Sequence, residues 1–227
     1  MCLPGAGASA ARFEQLRRHL DHAVALRTFE LPGRGIRFAE PPLTSLRDHV
    51  THFVRHIEAE PYQRWVLLGE SLGAVTAASV AAELADSMRA EVAGVITVSA
   101  APGTTGRRSR DEVLAQLEAD ARGTATGELI TLAAEAIGVD IDAAHAAAEV
   151  TDVPAVAVPL ATIRGRADSL VSDDGARRWQ GLARAGWWYR EVGGNHFQFE
   201  RPTPELLTAL REALSFVSGG PGAPARG

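Results

Sequence analysis

The sequence predicts an α/β protein in which a mostly parallel central sheet is flanked by helices. Short apolar runs typical of buried strands alternate with helix-favouring segments, and the strand–helix–strand spacing between residues 65 and 100 implies right-handed crossovers. The chain has 227 residues, of which 46% are hydrophobic, enough to bury one sizeable core. We therefore expect a single domain over residues 1–217, followed by a flexible Gly- and Pro-rich tail over residues 218–227.

Composition and charge argue against several classes of protein. A net charge of −5 disfavours nucleic-acid binding, which needs a basic face. The single cysteine, Cys2, excludes a disulfide framework and a thiolate zinc site, and is typical of a reducing compartment. No apolar run approaches the roughly 20 residues that span a bilayer, so we expect no membrane association. The N-terminus lacks the basic start and apolar core of a signal peptide, which favours a cytoplasmic protein.

The N-terminal segment contains a loop built around Gly5 and Gly7, where the backbone N–H groups could approach a ligand closely. Only residues 1–3 are available for a strand before this loop. The sequence therefore predicts that the first strands of the sheet are shortened or missing. Helix-favouring residues follow from 11 to 20, and residues 23–29 alternate apolar and polar side chains as a strand does.

The next segments continue the alternation. Residues 31–35 form a turn-rich loop, and residues 45–59 form an amphipathic helix that carries His49, His52 and His56 on its flank. Histidines four residues apart can hold a metal. No HExxH motif accompanies them, so we favour a solvated face and predict no metal site. The remaining predicted elements are strands at 65–68, 92–100, 155–163 and 187–192, and helices at 76–89 and 203–217.

Residues 103–151 separate two predicted strands and are rich in alanine and acidic side chains. Their helical propensity and their position between core strands predict a short helical lid over the functional site. Packing helices without a gating role would have the same composition.

A nucleophile motif follows the first long apolar run. Gly69, Glu70, Ser71, Leu72 and Gly73 form the pattern G-x-S-x-G between a predicted strand and a helix of small residues. Glycines are needed because a side chain at either end would crowd the neighbouring strand or helix. The strained turn would present the serine Oγ above the sheet, where the helix N-terminus favours negative charge. Ser71 is therefore the predicted nucleophile.

A serine hydroxyl needs a general base, and only two histidines follow Ser71 in the chain. His145 lies in an alanine-rich helical segment, whereas His196 lies in a glycine-rich loop directly after a strand. Catalytic groups in open α/β sheets lie at the carboxyl ends of strands. These considerations select His196 as the base.

The base needs a carboxylate that holds its tautomer and stabilises the imidazolium. Asp168 follows the penultimate predicted strand and is the first candidate, and Asp173 and Asp174 are the next candidates. The order serine, aspartate, histidine is that of the α/β-hydrolase fold. In that fold the N–H of the residue after the nucleophile, here Leu72, is one oxyanion donor, and Gly5 or Ala6 would supply the other.

The chain resembles the stand-alone type II thioesterases of polyketide and nonribosomal peptide biosynthesis. The motifs that carry the resemblance are L-P-G-A-G-A-S-A (3–10), L-P-G-R-G-I-R-F (31–38) followed by E-P-P-L (40–43), G-E-S-L-G (69–73), G-R-A-D-S-L-V-S (165–172) and G-G-N-H-F (193–197). The resemblance assigns the second oxyanion donor to Ala6. The family usually has His where this chain has Glu70, and the segment from 103 to 151 is shorter than in the family.

The resemblance implies an enzyme that hydrolyses acyl groups from the phosphopantetheine arm of an acyl or peptidyl carrier protein, without a cofactor of its own. Carrier proteins are generally acidic, so a locally basic docking surface is expected. The candidates for this surface are Arg34, Arg37, Arg107, Arg108 and Arg110. Gly5 and Glu70 are further candidates for contact with the substrate or carrier.

Three rival functions share the same fold. Glu70 and the short lid motivate a cyclising or acyl-transferring enzyme, in which a substrate group replaces water. A carboxylesterase for small esters would use the same three side chains on a free substrate. A non-catalytic binding module would keep the fold without the reaction, and the presence of all three predicted catalytic residues argues against it.

Overall fold

The central sheet of the computed structural model contains five parallel strands in the spatial order β1-β2-β3-β4-β5. The structure describes residues 1–19, 24–61, 64–103, 109–121, 134–150 and 153–219, with the backbone alone for 144–150. In this part of the chain the strands are β1 (Cys2–Leu3), β2 (Arg64–Glu70), β3 (Glu91–Val98), β4 (Leu160–Gly165) and β5 (Trp187–Val192). The predicted fold class is confirmed.

Helices cover both faces of the sheet. The described α-helices are α1 (Glu14–Arg17), α2 (Leu46–Ala59), α3 (Leu72–Glu83), α4 (Arg110–Asp120), α5 (Ala134–Val150), α6 (Asp173–Arg177) and α7 (Pro204–Ser218). Short 3-10 helices lie at Ala10–Phe13, Gly35–Arg37 and Arg178–Leu182. Over the described ranges, no helix combines the length and apolarity needed to cross a membrane.

Two apolar clusters pack the sheet between its helices. On one face, Leu67 and Val95 pack with α2 and α3, including Phe53 of α2. On the other face, Leu68 and Ile96 pack with the apolar stripe of α7. Neighbouring residues of one strand enter opposite clusters because side chains alternate across a strand. The continuous apolar runs of β2 and β3 are therefore buried on both sides, as in parallel sheets covered by helices.

The N-terminal edge of the sheet is as short as the sequence predicts, since β1 has two residues. The prediction of a strand at residues 23–29 is wrong for the described residues 24–29. Thr28 forms one isolated parallel bridge to Cys2, and the Cys2 N–H donates to Arg27 O at 2.8 Å. A two-residue strand offers too few partners for a longer ladder beside it. The predicted helix at 11–20 is a 3-10 turn followed by the four-residue α1, and residues 20–23 lie outside the described part of the chain.

Helix boundaries follow the capping chemistry. The side chains of Ser45 and Thr203 accept N–H bonds at the starts of α2 and α7, and Gly219 ends α7 with φ 67°. Both helices match their predicted ranges to within one residue at each end. The helix predicted at 76–89 instead begins at Leu72, because the turn at Ser71 leads directly into α3.

The strand predicted at 155–163 also begins later than expected. Pro159 has no N–H to donate to a ladder, and β4 starts directly after it. Before that proline, Val156 makes an isolated bridge to Ala183.

The segment between β3 and β4 contains α4 and α5, which we call the lid helices. Residues 104–108, 122–133 and 151–152 of this segment lie outside the described part of the chain. The lid helices share a small apolar cluster of their own, formed by Val113, Leu117, Ala121, Ile137 and Ile141. Ala6, Leu170 and Phe197 pack against it, and each belongs to a different loop at the carboxyl edge of the sheet. The lid helices therefore contact three loops of the predicted site.

Gly69 and Gly73 permit a backbone contact that fixes the turn after β2. A Cβ at Gly69 would lie 2.2 Å from Gly73 O, and a Cβ at Gly73 would lie 2.1 Å from Leu3 O. Backbone atoms cannot move aside as the end of a side chain can. The two glycines thus allow β2, α3 and the end of β1 to touch.

We predict that Gly69→Ala lowers the free energy of unfolding by at least about 2 kcal/mol, because its Cβ overlaps the α3 backbone. Denaturant titration followed by circular dichroism measures this loss. Gly181→Ala is the matched control, since a Cβ at exposed Gly181 has no atom within 4 Å. Equal stabilities of the two variants would contradict the packing argument.

Candidate active site

Ser71 lies on the sharp turn between β2 and α3. Its backbone has φ 53° and ψ −121°, which costs a non-glycine residue roughly 1–3 kcal/mol. The Ser71 N–H donates to Val98 O at 2.9 Å, and this bond ties the turn to the end of β3. The strained turn places Ser71 at the carboxyl edge of the sheet, directly before the first residue of α3.

His196 and Asp168 follow β5 and β4, and the structure brings both to Ser71. His196 Nε2 lies 3.1 Å from Ser71 Oγ, and His196 Nδ1 lies 3.1 Å from each carboxylate oxygen of Asp168. His196 and Asp168 are both buried. The three residues predicted from the sequence thus form one continuous hydrogen-bonded chain from carboxylate to hydroxyl.

Hydrogen bonding and charge set the protonation of His196. The Asp168 carboxylate can only accept, so it assigns the proton to Nδ1 and leaves Nε2 to accept from Ser71 Oγ. Burial lowers the pKa of His196, but the charge and hydrogen bond of Asp168, followed by the charge of Glu70, outweigh burial. The net result is a pKa raised above the ordinary value of a histidine.

The Asp168 carboxylate is held in its charged form. Burial raises its pKa, but the adjacent His196 and the N–H groups of Val171 and Leu170 outweigh this effect and lower the pKa. Both N–H groups donate to Asp168 Oδ1 at 3.0 Å. The next candidate acids, Asp173 and Asp174, lie in α6, where Asp173 accepts from Tyr189 Oη and Arg177 Nε instead.

The Gly5–Gly7 loop packs against the nucleophile turn. A Cβ at Gly5 would lie 3.3 Å from Ser71 Cβ and 4.0 Å from Ser71 Oγ, so the missing side chain leaves room beside the hydroxyl. Ala6 follows in the loop, and Leu72 is the first residue of α3. The structure therefore places both predicted oxyanion donors on segments that flank Ser71.

The structure corrects the interpretation of Glu70 as a group presented to the substrate. Glu70 is 3% exposed, and its carboxylate accepts from Arg12 Nε at 3.0 Å and Arg12 Nη2 at 3.3 Å. The Arg12 guanidinium also lies 5.2 Å from the centre of the Phe197 ring. Glu70 therefore changes the charge around His196 without facing a ligand. The buried pair joins the nucleophile turn to the 3-10 helix at Ala10–Phe13 and to the histidine loop.

The predicted docking arginines differ in their surroundings. The prediction that Arg34 docks a partner is wrong, because Arg34 is 4% exposed and its Nη2 donates to Asp140 Oδ2 at 2.7 Å. Arg37 remains near the surface but is paired with Glu40 through two 2.6 Å bonds. Exposed Arg110 pairs with Asp142 of α5 at 3.0 Å. The other two candidates, Arg107 and Arg108, lie outside the described residues.

Sequence reasoning missed Arg12, Asp120 and Asp140. Asp120 ends α4, where its side chain accepts from Ser169 Oγ at 2.6 Å and its backbone carbonyl accepts from Asn195 Nδ2 at 3.1 Å. No motif marks these residues, because their partners are separated from them by tens of positions in the chain. In the ranges the structure describes, no cluster of three or more His, Cys, Asp or Glu residues could hold a metal ion.

Comparison with known proteins defines the class. The model of the thioesterase domain family matches residues 1–209. The chain therefore belongs to the thioesterase family and is an enzyme of the serine-hydrolase class that acts on thioesters.

Individual relatives cover nearly the whole chain. The thioesterase PikA5 of Streptomyces venezuelae is 27% identical over 236 residues, which span 98% of this chain and 83% of the relative. The structure of the type II thioesterase BorB from the borrelidin biosynthetic cluster matches with a TM-score of 0.78 and 24% identity, over 94% of this chain and 91% of BorB. RedJ, a thioesterase from the prodiginine biosynthetic pathway in Streptomyces coelicolor, matches with a TM-score of 0.79 and 21% identity, over 94% and 89% of the two chains.

We predict that Glu70→Gln lowers the pKa of His196. The substitution removes a negative charge that raises this pKa, while the Arg12 cation, which lowers it, remains in place. NMR titration of the His196 ring nitrogens in ¹⁵N-histidine-labelled protein measures the shift.

Glu91→Gln is the matched control, because it removes the same charge from an exposed pair with Arg64 at the opposite end of the sheet. It should leave the His196 pKa unchanged. An unchanged or higher pKa in Glu70→Gln would contradict the proposed charge effect.

Proposed function

We propose that the enzyme releases acyl groups from the phosphopantetheine arm of a carrier protein by covalent catalysis, with Ser71 as nucleophile, His196 as general base and Asp168 as the acid that orients it. The observation that supports this proposal is the hydrogen-bonded chain from Asp168 through His196 to Ser71 on a strained turn. This constellation generates an alkoxide-like nucleophile at neutral pH. It uses groups of the chain itself and no cofactor.

In the first half-reaction, Ser71 Oγ attacks the thioester carbonyl carbon while His196 Nε2 takes the hydroxyl proton. The carbonyl oxygen becomes an oxyanion, which the N–H groups of Leu72 and Ala6 stabilise by about 3 kcal/mol each. The tetrahedral intermediate then expels the pantetheine sulfur, which takes the proton from His196 Nε2. The products are a free thiol and an acyl-Ser71 ester.

In the second half-reaction, water attacks the acyl-Ser71 ester and His196 Nε2 takes a proton from that water. Collapse of the second tetrahedral intermediate expels Ser71 Oγ, which recovers its proton from His196. The free carboxylic acid leaves. Asp168 stays ionised throughout and stabilises the imidazolium that forms in each half-reaction.

The carrier-bound substrate is supported by the relatives and by the motifs that the chain shares with them. BorB is named as a type II thioesterase from a biosynthetic cluster, and RedJ as a thioesterase from a biosynthetic pathway. Glu70 motivates a cyclising or transferring enzyme only if it faces the substrate, but this carboxylate is buried against Arg12. Water is therefore the favoured acceptor of the acyl group.

We predict that Ser71→Ala abolishes thioester turnover and leaves the fold intact. Removing the serine nucleophile of a hydrogen-bonded serine, histidine and aspartate lowers kcat by a factor on the order of 10⁶. Circular dichroism and thermal melting report the fold, and release of free thiol reports turnover. Turnover near the wild-type rate would overturn the mechanism.

The substrate is tested by comparing three acyl donors with one acyl group: an acyl carrier protein, the acyl-N-acetylcysteamine thioester and a p-nitrophenyl ester. We expect free acid from all thioesters, with a higher kcat/KM for the carrier protein, measured by mass spectrometry. Equal kcat/KM for the carrier and the small thioester would contradict the carrier partner, and a faster p-nitrophenyl ester would indicate a carboxylesterase. A cyclised or transferred product would contradict hydrolysis.

A further inference from the structure

Asp140 is a buried carboxylate of the lid helix α5 that contacts the loop beside the nucleophile. It is 1% exposed. Its Oδ2 accepts from the Gly7 N–H at 2.7 Å and from Arg34 Nη2 at 2.7 Å. One oxygen of one lid residue thus joins two loops that are more than twenty residues apart in the chain.

The bond to Gly7 acts on the segment that carries Ala6. Gly7 has φ 68°, and a Cβ there would lie 2.1 Å from Ile137 Cγ1 of α5, so the loop lies directly against the lid helix. The Ala8 N–H donates to Gly5 O at 3.1 Å, which closes the loop into a tight turn. A turn closed at one side and bound to Asp140 at the other has little freedom. The direction of the Ala6 N–H is then set by the position of α5.

Arg34 makes the buried charge of Asp140 tolerable. A carboxylate removed from water needs a paired cation, and Arg34 supplies it while donating also to Ala136 O and Gly33 O. Within the described residues, Asp140 Oδ1 has no hydrogen-bond partner, and His49 Nε2 lies 3.6 Å away. Burial lowers the pKa of His49 despite the nearby charge of Asp140, which favours the neutral form of this histidine. Arg34 is accordingly the cation that balances Asp140.

We propose that Asp140 is a positioning residue, through which the lid helix α5 holds the Gly5–Gly7 loop in the conformation that stabilises the oxyanion. The inference rests on the proposed catalytic role of that loop. It predicts that loss of the Gly7–Asp140 bond weakens transition-state stabilisation more than substrate binding.

The first test compares Asp140→Leu, which removes the acceptor for the Gly7 N–H, with Asp142→Leu, a matched control on the same helix whose carboxylate is exposed and paired with Arg110. In Asp140→Leu we expect kcat to fall roughly ten- to hundred-fold, since a misplaced oxyanion donor loses part of its stabilisation of the transition state. KM should change by less than about threefold. The affinity for phenylboronic acid, whose adduct with serine places an oxygen at the oxyanion position, should fall by the same factor as kcat. Asp142→Leu should match the wild type in kcat, KM and affinity for the boronic acid.

The second test separates positioning from stability. Asp140→Leu leaves Arg34 as an unpaired buried cation, whereas the double variant Asp140→Leu/Arg34→Met removes both charges with side chains of similar size. We expect the double variant to recover the wild-type melting temperature and to retain the low kcat. Recovery of kcat together with the melting temperature would show a merely structural role and overturn the proposal.

The role of Asp140 and the proposed function fail in distinguishable ways. Wild-type protein that neither turns over thioesters nor reacts with a fluorophosphonate at Ser71 would overturn the function itself. Wild-type turnover, with kcat and boronic acid affinity unchanged in Asp140→Leu, would overturn the role of Asp140 alone.

Discussion

The contact between backbones at Gly69 and Gly73 is the constraint on which the site depends. Because neither residue has a Cβ, the start of α3 touches both the end of β2 and the carbonyl of Leu3. This contact forces Ser71 into its positive φ and brings the Gly5–Gly7 loop beside the serine hydroxyl. Nucleophile and loop are thus located by the same packing, even though about 65 residues of sequence lie between them. A strained turn persists only where the surroundings overdetermine it in this way.

Two ionisable pairs lie beside the turn at Ser71. The Asp168 carboxylate faces His196, and the Glu70 carboxylate faces Arg12, whose guanidinium lies over Phe197 next to the histidine. Each buried charge has a partner, which limits the cost of removing it from water. The arrangement also explains how this chain accommodates an acid before the nucleophile. Arg12 compensates the added negative charge, while the remaining field favours the imidazolium of His196.

Local patterns in the sequence were sufficient to predict much of the fold and the meeting of the site residues at one edge of the sheet. The turn at Ser71 and the loops of Asp168 and His196 each follow a strand, so the rule that such loops meet at one edge places them together. The pairs Arg12–Glu70 and Arg34–Asp140 could not be predicted in the same way. The two residues of the first pair are 58 positions apart in the chain and those of the second pair 106, and no periodicity or motif marks either pair.

Two further expectations failed because tertiary context decides them. Arg34 lies in a turn-rich loop that resembles an exposed one, yet α5 covers it and supplies Asp140. The alternation in residues 23–29 has the period of a strand, but β1 provides only two residues for pairing, and of the described residues 24–29 only Thr28 forms a bridge. Burial and strand pairing depend on what lies next to a segment, which its own residues do not encode.

The lid helices differ from the rest of the molecule in how they are held. Among the residues that the structure describes, their shared apolar cluster has five buried members, fewer than either cluster that packs the sheet. Segments with few apolar contacts open by local unfolding at a lower free energy than the whole domain. Opening of α4 and α5 would release Asp120 from the acid and base loops and Asp140 from the Gly5–Gly7 loop at the same time. We therefore expect heat to inactivate this enzyme by local opening of the lid helices before the sheet melts.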